Sequence, residues 1–229
     1  MAIGAAAPPD RPARPERPVL LPPREMPRRR NFGSPAGRIA LLHALAHIEL
    51  NAIDLAWDIV GRFSAPELPR RFFDDWTGIA AEEAEHFALL AARLEGFGAR
   101  YGDLPAHDGL WEAAAATRHD LLARLAIVPL VLEARGLDVT PEMADRLHRA
   151  GDDDSATILG RIFRDEIGHV AVGVRWFKYL CRAGGHDPGL AFQACVRAHF
   201  KGRLKPPFNR AARDKAGFPA EYYEPLATG

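Results

Sequence analysis

Apolar residues recur at three- and four-residue spacing through most of the chain, the signature of amphipathic helices. Ser34-Pro35 has the chemistry of a helix start, with Ser as N-cap and Pro in the first turn. Ile39, Leu42, Leu45, Ala46, Ile53, Ala56 and Val60 then carry the period to Phe63, and Pro66 and Pro69 mark a turn. A second helix is expected from Glu67 or Arg70 to Glu95, ended by Gly96 and Gly98. Tyr101–Asp108 reads as a loop. A third helix is expected over Leu110–Arg135 with Pro129 inside it, and Gly136 weakens its end. Thr140-Pro141-Glu142 opens a short helix to about Ala150. After the Gly151–Asp154 turn, a fourth long helix spans about Ser155–Ala183, and Asp187-Pro188 caps a fifth to about Phe200. The Pro206-Pro207 pair and the residues beyond it predict extended chain with one short helix. No segment alternates with β-branched residues as a strand would. The fold class is therefore all-α: a bundle of four long helices with additions.

The chain has 229 residues, enough for one domain with tails. Residues 1–33 hold eight of the Pro residues that forbid a helix and form an extended Pro/Arg-rich arm. Residues 34–183 are the four-helix bundle, and 184–229 a C-terminal helix and tail packing on it. No apolar run of the roughly 18–20 residues needed to span a bilayer stands out, and no membrane contact is expected. The Pro/Arg-rich start lacks the apolar region of a secretory signal. Cys181 and Cys195 match neither a disulfide scaffold nor a zinc motif. A cytoplasmic protein is the expectation. Zero net charge conceals basic ends: eight Arg against three acids in 1–38, and seven cations against one acid in 197–215. Such ends suit either nucleic acid or an acidic partner, and the favoured reading folds them back on the acidic body.

Within this frame one constellation carries chemistry. Glu-x-x-His occurs at Glu83/His86 and again at Glu166/His169, and residues three apart share a helix face. Glu49 precedes Glu83 by 34 positions and Glu133 precedes Glu166 by 33, so the pattern Glu…Glu-x-x-His runs twice. Each midpoint, near residue 66 and near 149–150, falls at or beside an expected turn, which places each set level on antiparallel helices. Four Glu and two His are the ligand inventory of two-metal carboxylate bundles. Four buried carboxylates need cations to stay ionised, and two divalent ions balance them. Oxygen and imidazole donors suit Fe and Mn better than soft metals and do not distinguish the two. Glu82 and Asp165, each four residues before a candidate histidine, are candidates to orient it. Pro129, one turn before Glu133, removes a helical hydrogen bond and predicts a kink or π-bulge beside a ligand. His43 and His47 read as hydrogen-bonding groups, and Trp57, Trp76 and Trp176 as core aromatics.

The segments Pro22-Pro23-Arg24-Glu25, His47-Ile48-Glu49, Glu133-Ala134-Arg135-Gly136-Leu137-Asp138-Val139, Asp165-Glu166 and Gly168-His169 carry a resemblance from about Arg17 to Phe218. They resemble the ferritin-like di-iron carboxylate superfamily, within it a bacterial ferritin-like domain family of unknown function. The core is also similar to the non-haem di-iron tRNA hydroxylase family. The resemblance implies a ferritin-like four-helix bundle. In it Glu49 and Glu133 are terminal or bridging carboxylates, Glu83 and Glu166 bridges, and His86 and His169 terminal ligands. All six would then also be the catalytic residues. Gly136 with Thr140-Pro141 departs from the pattern and predicts a helix break just after Glu133. The expected function is an O2-activating di-iron (or Fe/Mn) oxidoreductase. It would oxidise an organic substrate, a small molecule or an RNA base, with electrons from an external reductase. The alternatives are ferritin-type iron oxidation and a non-catalytic helical interaction protein; subunit number is not fixed by the sequence.

Overall fold

The computed structural model describes residues 8–26, 32–65 and 67–227. The expected turn residue Pro66, and Pro27–Arg30 of the arm, lie outside the described residues. Everything else described is helix, turn or loop; the only β pairing among the described residues is an isolated bridge from Leu20 to Ala106. The chain forms two compact units: Met1–Glu112 with Glu142–Gly160, and Ala113–Pro141 with Arg161–Gly229.

In the first unit, α1 (Pro35–Arg62) packs along α2 (Arg70–Gly96). Ser34 caps α1 as expected, its Oγ accepting from Gly37 N at 3.2 Å. The two helices share a core of Leu42, Ala46 and Ile59 with Phe72, Trp76, Leu90 and Leu94, all essentially sealed from solvent. Each such large side chain contributes about 1.5–3 kcal/mol relative to exposure. Contrary to the sequence expectation, α1 contains an 18-residue stretch of mean hydropathy 1.4, long and apolar enough to cross a membrane. More than half of it is buried inside the protein, and buried His43, His47, Glu49 and Asn51 punctuate it. Its apolar character is that of a core helix.

The described parts of the arm lie against this unit, held by ion pairs from Arg11 to Asp108 (2.8 Å) and Arg14 to Asp54 (2.9 Å). The turn after residue 149 is clamped from both helices. Arg38 donates to Ala150 O at 2.6 Å, and Arg93 donates to Asp152 Oδ1 at 2.7 Å and Ser155 Oγ at 3.0 Å. Asp152 in turn caps the next helix through Ser155 N. Burial alone would raise its pKa, but the hydrogen bonds from Arg93 and Ser155 hold it below the usual carboxylate range.

The expected third helix is two pieces. Gly109–Ala115 (α3) ends early, and α4 (Leu121–Ile127) starts afresh with Asp120 capping Ala123 N. Buried Arg124 fastens the break by donating to Thr117 Oγ1 and Ala114 O. Beyond α4 the backbone widens into a π-helical turn, Val128–Glu133, and then runs as α5 (Ala134–Arg149). The break expected after Glu133 is thus absent: Gly136, Thr140 and Pro141 all lie within α5. Tertiary anchoring explains it. Leu137 is fully buried, and Asp138 is held by Arg213, by Asn209 N and by Arg135. The irregularity that Pro129 predicts is present, one turn earlier.

α6 (Asp153–Ala183) is the longest helix, and α7 (Pro188–His199) packs on α4 within the second unit. The tail holds two short helices rather than one, α8 (Arg210–Lys215) and α9 (Ala220–Tyr223). Phe177, Phe192, Phe218 and Tyr223 form an aromatic core there, with ring centroids 5.1–6.1 Å apart. Arg213 sits over the Tyr223 ring at 4.4 Å.

Candidate metal centre

Glu49 on α1 and Glu83 and His86 on α2 point into the interior of the first unit, and all three are buried. His86 Nδ1 stands 3.4 Å from Glu49 Oε2 and 3.4 Å from Glu83 Oε2. One ligand atom from each lies within 4.8 Å of the others, the spacing of a set that can hold a metal ion. The helical hairpin produces this: three residues on α2 make one turn, and α1 brings Glu49 level with that turn. Burial first, and the charge of Glu83 second, push the Glu49 carboxyl up to about 8 against the pull of His86. Two ionised carboxylates facing one imidazole in a dry site would carry more negative charge than His86 can balance, so without a cation the cluster takes up a proton. Oxygen donors with one imidazole make a set that could hold a metal ion.

The second unit repeats the composition. Glu133 closes the π-turn and is half-buried, while Glu166 and His169 lie buried on α6 with His169 Nδ1 3.8 Å from Glu166 Oε2. Gly173 sets the register between these segments. A Cβ placed there would stand 2.6 Å from Pro129 Cβ, so only glycine lets α6 approach the π-turn so closely. On antiparallel helices, four residues on from Pro129 and four back from Gly173 puts Glu133 about level with His169.

The surroundings correct several sequence expectations. Glu82 is exposed, and Asp165 pairs with Arg161 at 3.5 Å. Ala84, Ala88 and Ile48, although apolar and next to the cluster in sequence, face outward. The buried face of α2 is carried by Ile79, Ala80 and Leu90 instead. Trp76 and Trp176 are core residues, but Trp57 is 53% exposed. Arg135, partly exposed, donates to Lys205 O at 2.6 Å.

His43 and His47 are hydrogen-bonding groups, and their partners lie in the loop after α2. His43 Nε2 accepts from Gly102 N at 2.9 Å. His47 Nδ1 meets the Tyr101 hydroxyl at 2.8 Å and its Nε2 meets His107 O at 3.2 Å. Burial first, then the Arg14 charge, lower the His47 pKa to about 4. The neutral ring therefore accepts one bond and donates the other. Sequence reasoning missed Tyr101 because its hydroxyl reaches back 54 positions, a distance no local period encodes.

The family described as "Protein of unknown function (DUF455)" matches residues 2–224. The chain belongs to the DUF455 family. An uncharacterized protein of Haemophilus influenzae is 43% identical over 209 residues, covering 89% of this chain and 72% of the relative. No solved structure matches. In this DUF455 chain the buried carboxylates and imidazoles are the groups that carry chemistry.

Proposed function

We propose that Glu49, Glu83 and His86 together with Glu133, Glu166 and His169 hold two iron ions, or an Fe/Mn pair, in a ferritin-like bundle. On this reading the chain is an O2-activating oxidoreductase. The observation that carries it is the buried Glu49–Glu83–His86 cluster, whose excess negative charge is costly without a cation. The same donor set on the second unit supplies the complement for a second ion. When bound, two redox-active metals supply the electrons and Lewis acidity that O2 activation needs.

The protein's own contribution is to fix and dry the site. Glu49 and Glu83 are held on a rigid helical hairpin, and sealed Ile79, Ala80 and Leu90 line the buried face of the same helix. Pro129 leaves one backbone carbonyl of α4 outside the normal helical ladder and spreads the turn that ends at Glu133. That looser turn gives Glu133 room to change its carboxylate pose while Glu49 and Glu83 stay fixed.

A metabolite-sized organic substrate is favoured over an RNA base. Arg11, Arg14 and Arg213 of the basic ends are paired with Asp108, Asp54 and Asp138 of this chain. An external reductase is the proposed electron donor and the cytoplasm the proposed compartment.

Anaerobic Fe(II) titration followed by air tests the reading. Two Fe(II) bound per chain and O2 consumption coupled to a reductant are expected, and Glu83→Gln should lower the stoichiometry. Binding of many irons per chain would favour iron storage, and no binding would leave only a helical scaffold.

A further inference from the structure

A cavity of about 310 Å³ in the second unit is not used by the carboxylate cluster. Its walls are apolar, formed by Val131 and Leu132 of the π-turn with Phe200, Leu204 and Phe208 of the segment after α7. Its polar groups are overwhelmingly cationic: Arg135, Arg203, Lys205 and Arg213 against one carboxylate, Asp138. That carboxylate is already committed. The Asp138 side chain is wholly buried and accepts from Arg213 Nη2 at 2.7 Å, Arg213 Nε at 2.9 Å and Asn209 N at 2.9 Å. Arg213 gives its Nε and Nη2 to that carboxylate, its buried Nη1 has no hydrogen-bond partner among the described residues, and Arg135 is turned onto Lys205 O.

Arg203 and Lys205 differ. Both are exposed, and among the described residues neither side chain has an ion-pair or hydrogen-bond partner. They stand on either side of buried Leu204, whose side chain is part of the apolar wall. The segment is shaped to deliver them: Gly202 has φ +119°, a conformation side chains resist, so the chain turns sharply just before Arg203. An apolar chamber with two uncommitted cations at its edge is complementary to a molecule with an apolar body and an anionic head.

We propose that this cavity is a binding site for an amphipathic organic anion, its apolar body between the π-turn and the phenylalanines and its head at Arg203 and Lys205. The site is separate from the carboxylate cluster. Val131 and Arg135 are each two positions from Glu133, roughly half a turn around the helix axis, so they face the other way. Binding therefore does not depend on the metal reading and is expected with and without iron.

Isothermal titration calorimetry on the full chain tests this with four probes of equal tail length: decanoate, decyl phosphate, decanol and decyltrimethylammonium. Decanoate or decyl phosphate should bind with one site per chain, at least tenfold tighter than decanol, and more weakly as salt rises; the better of the two identifies the head group. The double variant Arg203→Gln/Lys205→Gln should lose at least tenfold in affinity while retaining the wild-type circular dichroism spectrum and melting temperature. Arg24→Gln, a control on the exposed arm, should bind as wild type. Decanol or the ammonium probe binding as tightly as the anions, the double variant binding unchanged, or no saturable binding by any probe would each overturn the proposal.

Discussion

Glu49 shows most sharply what burial does to a charge in this protein. Its carboxyl is raised from 4.5 to about 8 by burial and then by Glu83, so the metal-free folded state holds a proton that the unfolded chain releases. A raised folded pKa gives stability that is complete below 4.5 and lost as pH rises through 8. Metal-free Glu49→Gln should therefore melt higher than metal-free wild type at pH 8, by on the order of 2–4 kcal/mol, with the gap closing toward pH 4.5. Thermal denaturation at both pH values checks this; equal melting temperatures throughout would contradict it. His47 runs the other way. Its depressed pKa of about 4 means that protonation favours unfolding, so its stability is complete above 6.5 and lost as pH falls toward 4. His47→Gln should flatten the acid side of the stability curve between pH 6.5 and 5, relative to wild type at the same pH. At this scale the sequence was informative about which side chains share a face, because Glu83/His86 and Glu166/His169 advertise it by spacing alone, and Glu49, Glu83 and His86 do come together. It was silent on Tyr101 and on the Asp138–Arg213 pair, whose members lie 75 positions apart.

The element that most constrains the second unit is the π-turn against α6. Pro129 announces it in sequence, but its partner Gly173 carries no local mark and emerges only when the two backbones are seen to touch. Gly173→Ala would bring a methyl group to 2.6 Å of Pro129 Cβ and 2.8 Å of its Cγ, both on a rigid ring. Overpacking of this kind costs about 1–3 kcal/mol. The matched control is Gly78→Ala in α2, where a Cβ meets nothing within 4 Å. There the better helix propensity of alanine should stabilise by about 0.5–1 kcal/mol. Urea denaturation of the two variants should move in opposite directions; movement in the same direction would remove the close approach from the account. Helix boundaries were legible wherever a cap residue spoke, as at Ser34 and Asp187. They were misread at Asp120 and Pro141. At Asp120 a cap restarts a helix inside an Ala-rich run; at Pro141 the anchoring of Asp138 and Leu137 overrides a local breaker.

Across the whole molecule, part of the basic ends is answered by the chain's own acids within each unit, while Arg203 and Lys205 are not. Arg11 and Arg14 answer Asp108 and Asp54, and Arg213 answers Asp138. The all-helical class followed from periodicity because helices encode their buried face locally, whereas the division into two units, each assembled from two stretches of chain, follows from contacts that no window of sequence contains. Each unit carries one Glu and one Glu-x-x-His, and on the proposed function these two sets serve one pair of ions. Anomalous diffraction at the iron edge, on crystals of the full chain loaded with Fe(II), measures that directly. Two iron peaks are predicted, with Glu49, Glu83 and His86 among the ligands together with Glu133, Glu166 and His169. A single peak held by one set alone, or iron found only at exposed carboxylates, would contradict it.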